Sequence, residues 1–138
     1  MIKIILLTDF GEEYGTSLLK GITKYSHKYG PWVFCRMPGY YREKNGVDGI
    51  LKWAKDWDAN GIIGQFYSDS HVEKLMDAGI AVVAQDFKER QKDIPNITGD
   101  YLGTGRMGAE YFLRKGFRNF AFYGFKNIVW SRERLQGF

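Results

Sequence analysis

Two carboxylates carry the most chemical information in the chain. Asp9 follows the apolar run Ile4-Ile5-Leu6-Leu7, and Asp86 follows Ala81-Val82-Val83-Ala84-Gln85. An acid that closes an apolar, strand-like run stands at the rim of a sheet, where it can accept hydrogen bonds from two neighbouring hydroxyls. Flat apolar faces accompany both acids. Phe10 and Tyr14 follow the first and Phe87 the second, while Phe66, Tyr67 and Trp130 lie at other predicted strand ends or connections. A sugar ring has polar edges and apolar C–H faces, so carboxylates beside aromatic rings are residue types that suit it. Arg134 adds a planar fork of donors that could complete such a site. Taken singly, each acid could equally cap the segment after it, and each ring could belong to the core.

Other groupings are less informative. Gly103-Thr104-Gly105-Arg106-Met107-Gly108 spells a dinucleotide fingerprint. That motif needs a full strand before it and an acid about 20 residues later, at the end of the next strand. Here the preceding extended piece is short, and the next strand runs into Phe125-Lys126-Asn127. Gly105, Gly108 and Ala109 are instead read as small residues that let a helix approach the sheet. His27 and His71 have no cysteine or carboxylate at ligand spacing, so no metal is expected. There is no Gly-x-Ser-x-Gly elbow, and Cys35 lies inside an apolar strand, which leaves covalent catalysis without a nucleophile. Glu12, Glu13, Asp56 and Asp58 are read as surface acids at helix ends and exposed faces.

The elements that must position these residues alternate in period. Lys3–Phe10 reads as a strand. Tyr14, Leu18, Ile22, Tyr25 and Tyr29 recur at helical spacing and predict a helix over 13–29, stopped by Gly30-Pro31. A second strand covers 32–37. Val47, Ile50, Leu51, Ala54 and Trp57 mark a second helix, and 62–66 a third strand. Ser70-His71-Val72-Glu73 fits a capping box for a third helix, followed by a strand over 81–85. Residues 87–96 read as a charged loop and Ile97-Thr98 as a short extended piece. Asp100 can cap a fourth helix over 102–115, Phe120–Gly124 reads as a fifth strand, and a last helix begins near Ser131. Glycines 30, 61, 79 and 116 follow the four complete helices, and glycine accepts the left-handed cap conformation without side-chain cost. Near-continuously apolar strands alternating with helices predict an α/β fold: a three-layer sandwich around a parallel sheet of about five strands. In such sheets ligands sit outside the carboxyl ends of the strands.

Composition sets the outer limits. A chain of 138 residues predicts one domain. With 44% apolar residues and 3 prolines it is not a disordered segment. The net charge of +4 is spread along the chain. Its densest group, Lys88 to Lys92, contains Glu89 and reads as a solvated loop, so direct nucleic-acid binding is not expected. No apolar run reaches the ~18 residues of a membrane span, no signal-peptide pattern is visible, and the single cysteine fits a reducing compartment. Together these predict a cytoplasmic protein without membrane contact.

The stretch from Ile97 to Phe138 resembles a known family. It has an extended Asp100, a small-residue helix, Gly116, the strand Phe120-Ala121-Phe122-Tyr123-Gly124, and then Arg134-Leu135-Gln136-Gly137-Phe138. This pattern resembles the ligand-binding domain of lac-repressor-type transcription regulators, which share the periplasmic sugar-binding-protein fold. The middle strands and the first strand and helix fit as well. Within that set, Trp53 to Ile63, Phe117 to Phe125 and Trp130 to Arg134 resemble xylose operon regulators, whose DNA-binding domain is of the AraC type and follows the sensor domain. The resemblance implies an N-terminal lobe over 1–125 and, over 126–138, a crossover with the truncated start of a second lobe. It implies a non-catalytic sensor of a pentose, in the first place xylose, acting by lobe closure in a homodimer. DNA would be contacted only through a domain absent from this chain, and no cofactor is implied. By the same resemblance Arg134 grips ligand, Asp9, Phe10 and Tyr14 form the first contacting loop, Gln65, Phe66 and Asp86 stand at later strand ends, and Trp130 lies on the crossover. Two other readings stay open: an enzyme on a flavodoxin-like or nucleotide-binding sheet, and the sugar-binding protein of a transporter.

Overall fold

The first strand, β1 (Ile2–Leu7), explains why the sheet is covered on both faces. Its buried side chains alternate. Ile5 and Leu7 enter one core with residues of α2 (Gly39–Asp56) and α3 (Asp69–Asp77), while Ile4 and Leu6 enter a second core with Ile22 of α1 (Glu13–Tyr29). A strand with apolar residues on both faces must be covered twice, and helices on either side do so. The computed structural model describes residues 1–8 and 11–138; Asp9 and Phe10, both named above as candidate ligand contacts, lie outside the described residues.

The remaining strands are β2 (Trp32–Arg36), β3 (Gly61–Gly64), β4 (Ala81–Gln85) and β5 (Asn96–Ile97). They form one five-stranded sheet in the order β2-β1-β3-β4-β5. Every pairing is parallel, with Ile5 opposite both Cys35 and Ile62, and Ile62 opposite Val82. The α/β fold with a parallel sheet of five strands is therefore present, in the arrangement of a type I periplasmic-binding-protein-like lobe. Two helices complete the chain, α4 (Tyr101–Arg114) and α5 (Val129–Gly137).

Several local expectations are corrected. The fifth strand is Asn96–Ile97, not Phe120–Gly124. Residues 120–124 have strand-forming side chains, but a strand exists only with a ladder partner, and among the described residues none is offered. Phe117, Phe120, Tyr123 and Phe125 are exposed in consequence. The third helix is capped at Ser68, not Ser70, and Ser68 makes no side-chain cap bond. Its hydroxyl meets that of Ser70 at 3.0 Å instead. After α2 the left-handed residue is Asp58 (φ 56°), so Gly61 is free to begin β3. Asp100 caps α4 as expected, accepting from the Gly103 amide at 2.8 Å.

Gly105 departs further from expectation. It does not bring α4 to the sheet. A Cβ there would stand 2.1 Å from the Arg134 carbonyl oxygen, and a Cβ on Gly137 would stand 2.0 Å from the carbonyl oxygen of Leu102. The two glycines let α4 and α5 cross with backbone on backbone.

Candidate ligand site

The sheet order changes direction between β1 and β3, and the crevice outside the strand ends at such a switch is where open α/β sheets take ligands. The rim is built from polar residues that follow apolar strands. Thr8, after β1, donates through its hydroxyl to Gln85 Oε1 at 2.7 Å, a buried pair. Gln65, one residue past β3, donates Nε2 to the Asp86 carbonyl at 3.3 Å. Arg42 Nη1 donates to the carbonyls of Leu7 (2.7 Å) and Gln65 (3.2 Å), tying the ends of β1 and β3 together. Above this rim lies a cavity of about 390 Å³.

Asp86 is the polar centre of the cavity wall. Its side chain is 1% exposed, and Oδ2 meets Arg90 Nη2 at 3.3 Å. Oδ1 is buried and has no hydrogen-bond partner among the described residues. A buried carboxylate oxygen without a donor is costly, which sets this atom apart in the cavity wall. The opposite wall comes from α5 and α4. The Arg134 guanidinium lies between two rings, 5.3 Å from the centre of Tyr101 and 5.2 Å from that of Trp130. Its Nε is buried and likewise without a partner among the described residues. Phe87 adds an apolar face and packs edge-on to Tyr67 at 5.6 Å.

The structure thus brings Tyr14, Gln65, Asp86, Trp130 and Arg134 around one cavity. Phe66 is not among them. It is 2% exposed and belongs to the core beneath the rim, because it turns inward between β3 and α3 to pack with the main apolar cluster. Glu12, expected as a plain surface acid, lines the cavity mouth. Lys88, Glu89, Arg90 and Lys92 are exposed, as expected of a solvated loop, but the loop is also tied down. Arg90 reaches Asp86, Thr98 and Glu133, and Gln91 is buried. Among the described residues no three His, Cys, Asp or Glu side chains stand close enough to hold a metal ion, and no helix is long and apolar enough to cross a membrane.

Tyr101 was not singled out from sequence, because an aromatic residue just after a helix cap carries no signal of a cavity. It lies buried in the wall, and its hydroxyl pKa is pushed up to about 12. Burial is the main cause, followed by the neighbouring Tyr14 and Asp86. The sign for stability follows. Between the ordinary value of 10.0 and about 12 the folded chain keeps a proton that the unfolded chain has lost, so stability falls as pH rises through that window. Alkaline titration followed by phenolate absorbance is expected to show a late-ionising phenol that Tyr101→Phe removes.

Neither a protein-family model nor a curated protein sequence matches the chain. Solved structures do. A LacI transcriptional regulator of Bacillus cereus subsp. cytotoxis superposes with a TM-score of 0.77 at 20% identity, over 99% of this chain and 51% of its own. A sugar ABC transport substrate-binding protein of Bordetella parapertussis gives 0.76 at 14%, over 99% and 46%. A periplasmic binding protein/LacI transcriptional regulator of Alkaliphilus metalliredigens, complexed with D-xylulofuranose, gives 0.74 at 17%, over 99% and 50%. At these identities the likeness is one of fold, and this chain spans about half the length of the structures it matches. The link to xylose operon regulators with an AraC-type DNA-binding domain is overturned: four of the regulators among the matched structures are described as LacI proteins or as an operon repressor. The Trp130 to Arg134 stretch, one of the features that had suggested the link, lies on α5, which crosses α4.

Proposed function

We propose that this chain is the first lobe of a two-lobed sugar sensor of the LacI type, a binding module and not an enzyme. The observation that carries the reading is the buried Asp86 carboxylate, one oxygen of which has no partner among the described residues, lining one cavity at the strand ends with Trp130 and Arg134. A polyol donates hydroxyl hydrogens to the carboxylate, accepts from Arg134, and lays its C–H face on an aromatic ring. The charges lining the cavity argue against the flavin or nucleotide alternative. A phosphate would meet the carboxylates of Glu12 and Asp86 together with Arg134, not a cradle of amides.

Residues 1–125 would form this lobe and 126–138 the crossover to the second. The exposed rings of 117–125, which have strand-forming side chains and no strand partner among the described residues, support that division. So does the half-length coverage of the matched structures. Sugar held between lobes would favour a closed arrangement only through its greater affinity for it, and a homodimer would pass that change to DNA-binding segments outside this chain. A pentose is the finer form of the proposal, with xylose first. The fit to a transport protein's fold keeps one other reading in play, a transporter's sugar-binding component.

The test is an amide chemical-shift titration of the chain with D-xylose, D-ribose, L-arabinose and D-glucose, a method that detects weak binding by a single lobe. Saturable shifts at Asp86, Tyr101 and Trp130, lost in Arg134→Ala, are expected. If none of the four sugars perturbs those amides, the reading fails. Sugar-dependent retardation of operator DNA by the whole protein would separate a regulator from a transport component.

A further inference from the structure

Several ties join the charged loop after β4 to the helix α5, and one guanidinium, that of Arg90, also reaches the buried Asp86. Arg90 Nη2 donates to Asp86 Oδ2 (3.3 Å), to the Thr98 hydroxyl (2.8 Å) and to Glu133 Oε2 (2.9 Å), and Nη1 binds Glu133 Oε1. Glu133 lies on α5, between Arg132 and the cavity-facing Arg134. Three further ties run alongside. Arg132 pairs with Glu89 at 2.7 Å and donates to the Lys88 carbonyl at 3.2 Å, and the Val129 amide donates to the Phe87 carbonyl at 2.9 Å. A bidentate guanidinium–carboxylate pair fixes direction as well as distance. An exposed pair of this kind contributes little by itself, but one end of this network is the nearly inaccessible Asp86.

We propose that Arg90 is a positioning residue that couples the state of the ligand-facing carboxylate Asp86 to the seat of α5, the helix that carries Trp130 and Arg134. This rests on reading the cavity as the ligand site. Arg90 holds Oδ2 of a carboxylate buried in the cavity wall, so it fixes how that carboxylate is oriented. The same guanidinium grips Glu133, so any redistribution of its donors at Asp86 is felt one residue away from Arg134. Lysine has the charge but not the fork, and cannot hold both carboxylates in the same geometry. The shared proton donors also account for the Glu133 carboxyl being held below its ordinary range, chiefly by its hydrogen bond to Arg90.

Hydrogen exchange of the α5 amides decides the matter without any ligand. Arg90→Ala and Glu133→Gln are each expected to speed exchange over 129–137 by about tenfold, with β1 and β3 unchanged. Arg90→Lys should fall between. The coupling itself is read from Asp86→Asn, or from Asp86→Ser if that variant does not fold. The substitution should alter α5 exchange by about threefold when Arg90 is present and not at all in Arg90→Ala. Exchange in α5 that ignores Arg90→Ala, or an Asp86 effect that persists without Arg90, overturns the proposal. Titration of the same variants with D-xylose and D-ribose keeps the two questions apart. If neither sugar perturbs the wild type, the sugar reading fails at that point while the exchange data still decide whether Arg90 couples Asp86 to α5.

Discussion

Gly105→Ala is expected to destabilise the packing of α5 on α4 by about 2–3 kcal/mol, although alanine is the better helix former by about 1 kcal/mol. The new Cβ would meet the Arg134 carbonyl oxygen at 2.1 Å and the Phe138 amide nitrogen at 3.0 Å. Both are backbone atoms and cannot swing aside as a side-chain tip can. Gly137→Ala should behave alike, since its Cβ would meet the Leu102 carbonyl oxygen at 2.0 Å. The loss should be local. α5 hangs on α4 and on the loop after β4, while the sheet core lies elsewhere, so α5 should open before the lobe unfolds. Faster exchange over 129–137, with a smaller change in the urea midpoint, is the expected pattern. Gly108→Ala is the control. Its Cβ would approach only the Phe138 ring, at 4.0 Å, so the helix-propensity gain should survive and stability should hold or rise. Equal destabilisation at 105 and 108 would mean that the crossing is not where the two helices touch.

The same glycines show which parts of the fold can be read from sequence. β1, β3 and β4 are legible because an apolar run bounded by polar residues must be buried on both faces. α1 is legible because its apolar spacing and the Gly30-Pro31 stop agree, and the helix spans Glu13–Tyr29 as expected. These signals are local. The partner of Gly105 is 29 residues on, in a helix whose position depends on the whole loop after β4, so small residues in a row pointed to close packing but not to what packs. Phe120–Gly124 failed for a related reason: strand propensity describes side chains, whereas a strand also needs a neighbour.

The rim of the cavity was partly legible on the same principle. A polar residue just past an apolar strand stands at the sheet's edge, and Gln65 and Asp86 lie there, directly after β3 and β4. The rule does not say which way a side chain turns, and Phe66, one residue beyond Gln65, turns into the core. Arg90 and Glu133 were not legible at all. Their contact spans 43 residues, and a mixed-charge stretch looks the same whether it is solvated or folded over a buried acid. Tyr101 was hidden for want of any periodic pattern around it.

Asp86→Asn is expected to separate stability from binding. The asparagine keeps the size of the side chain and can still accept from Arg90, so the rim should remain intact. What disappears is the charge; with the amide oxygen at Arg90, the amide nitrogen takes the place of Oδ1, which has no partner among the described residues, and a buried neutral donor costs less than a buried charged acceptor. The lost charge weakens the bond to Arg90 in turn, so the variant should unfold close to the urea concentration of the wild type. Binding should fall. A hydrogen bond to a charged acceptor contributes about 1.5–3 kcal/mol, so the sugar that perturbs the wild type most should bind about 10- to 150-fold more weakly. Loss of both stability and binding would mark Asp86 as part of the framework, held for Arg90 and the loop. Unchanged binding would remove it from the ligand's reach. Unchanged stability with a loss in affinity is the signature of a polar group held for what it binds.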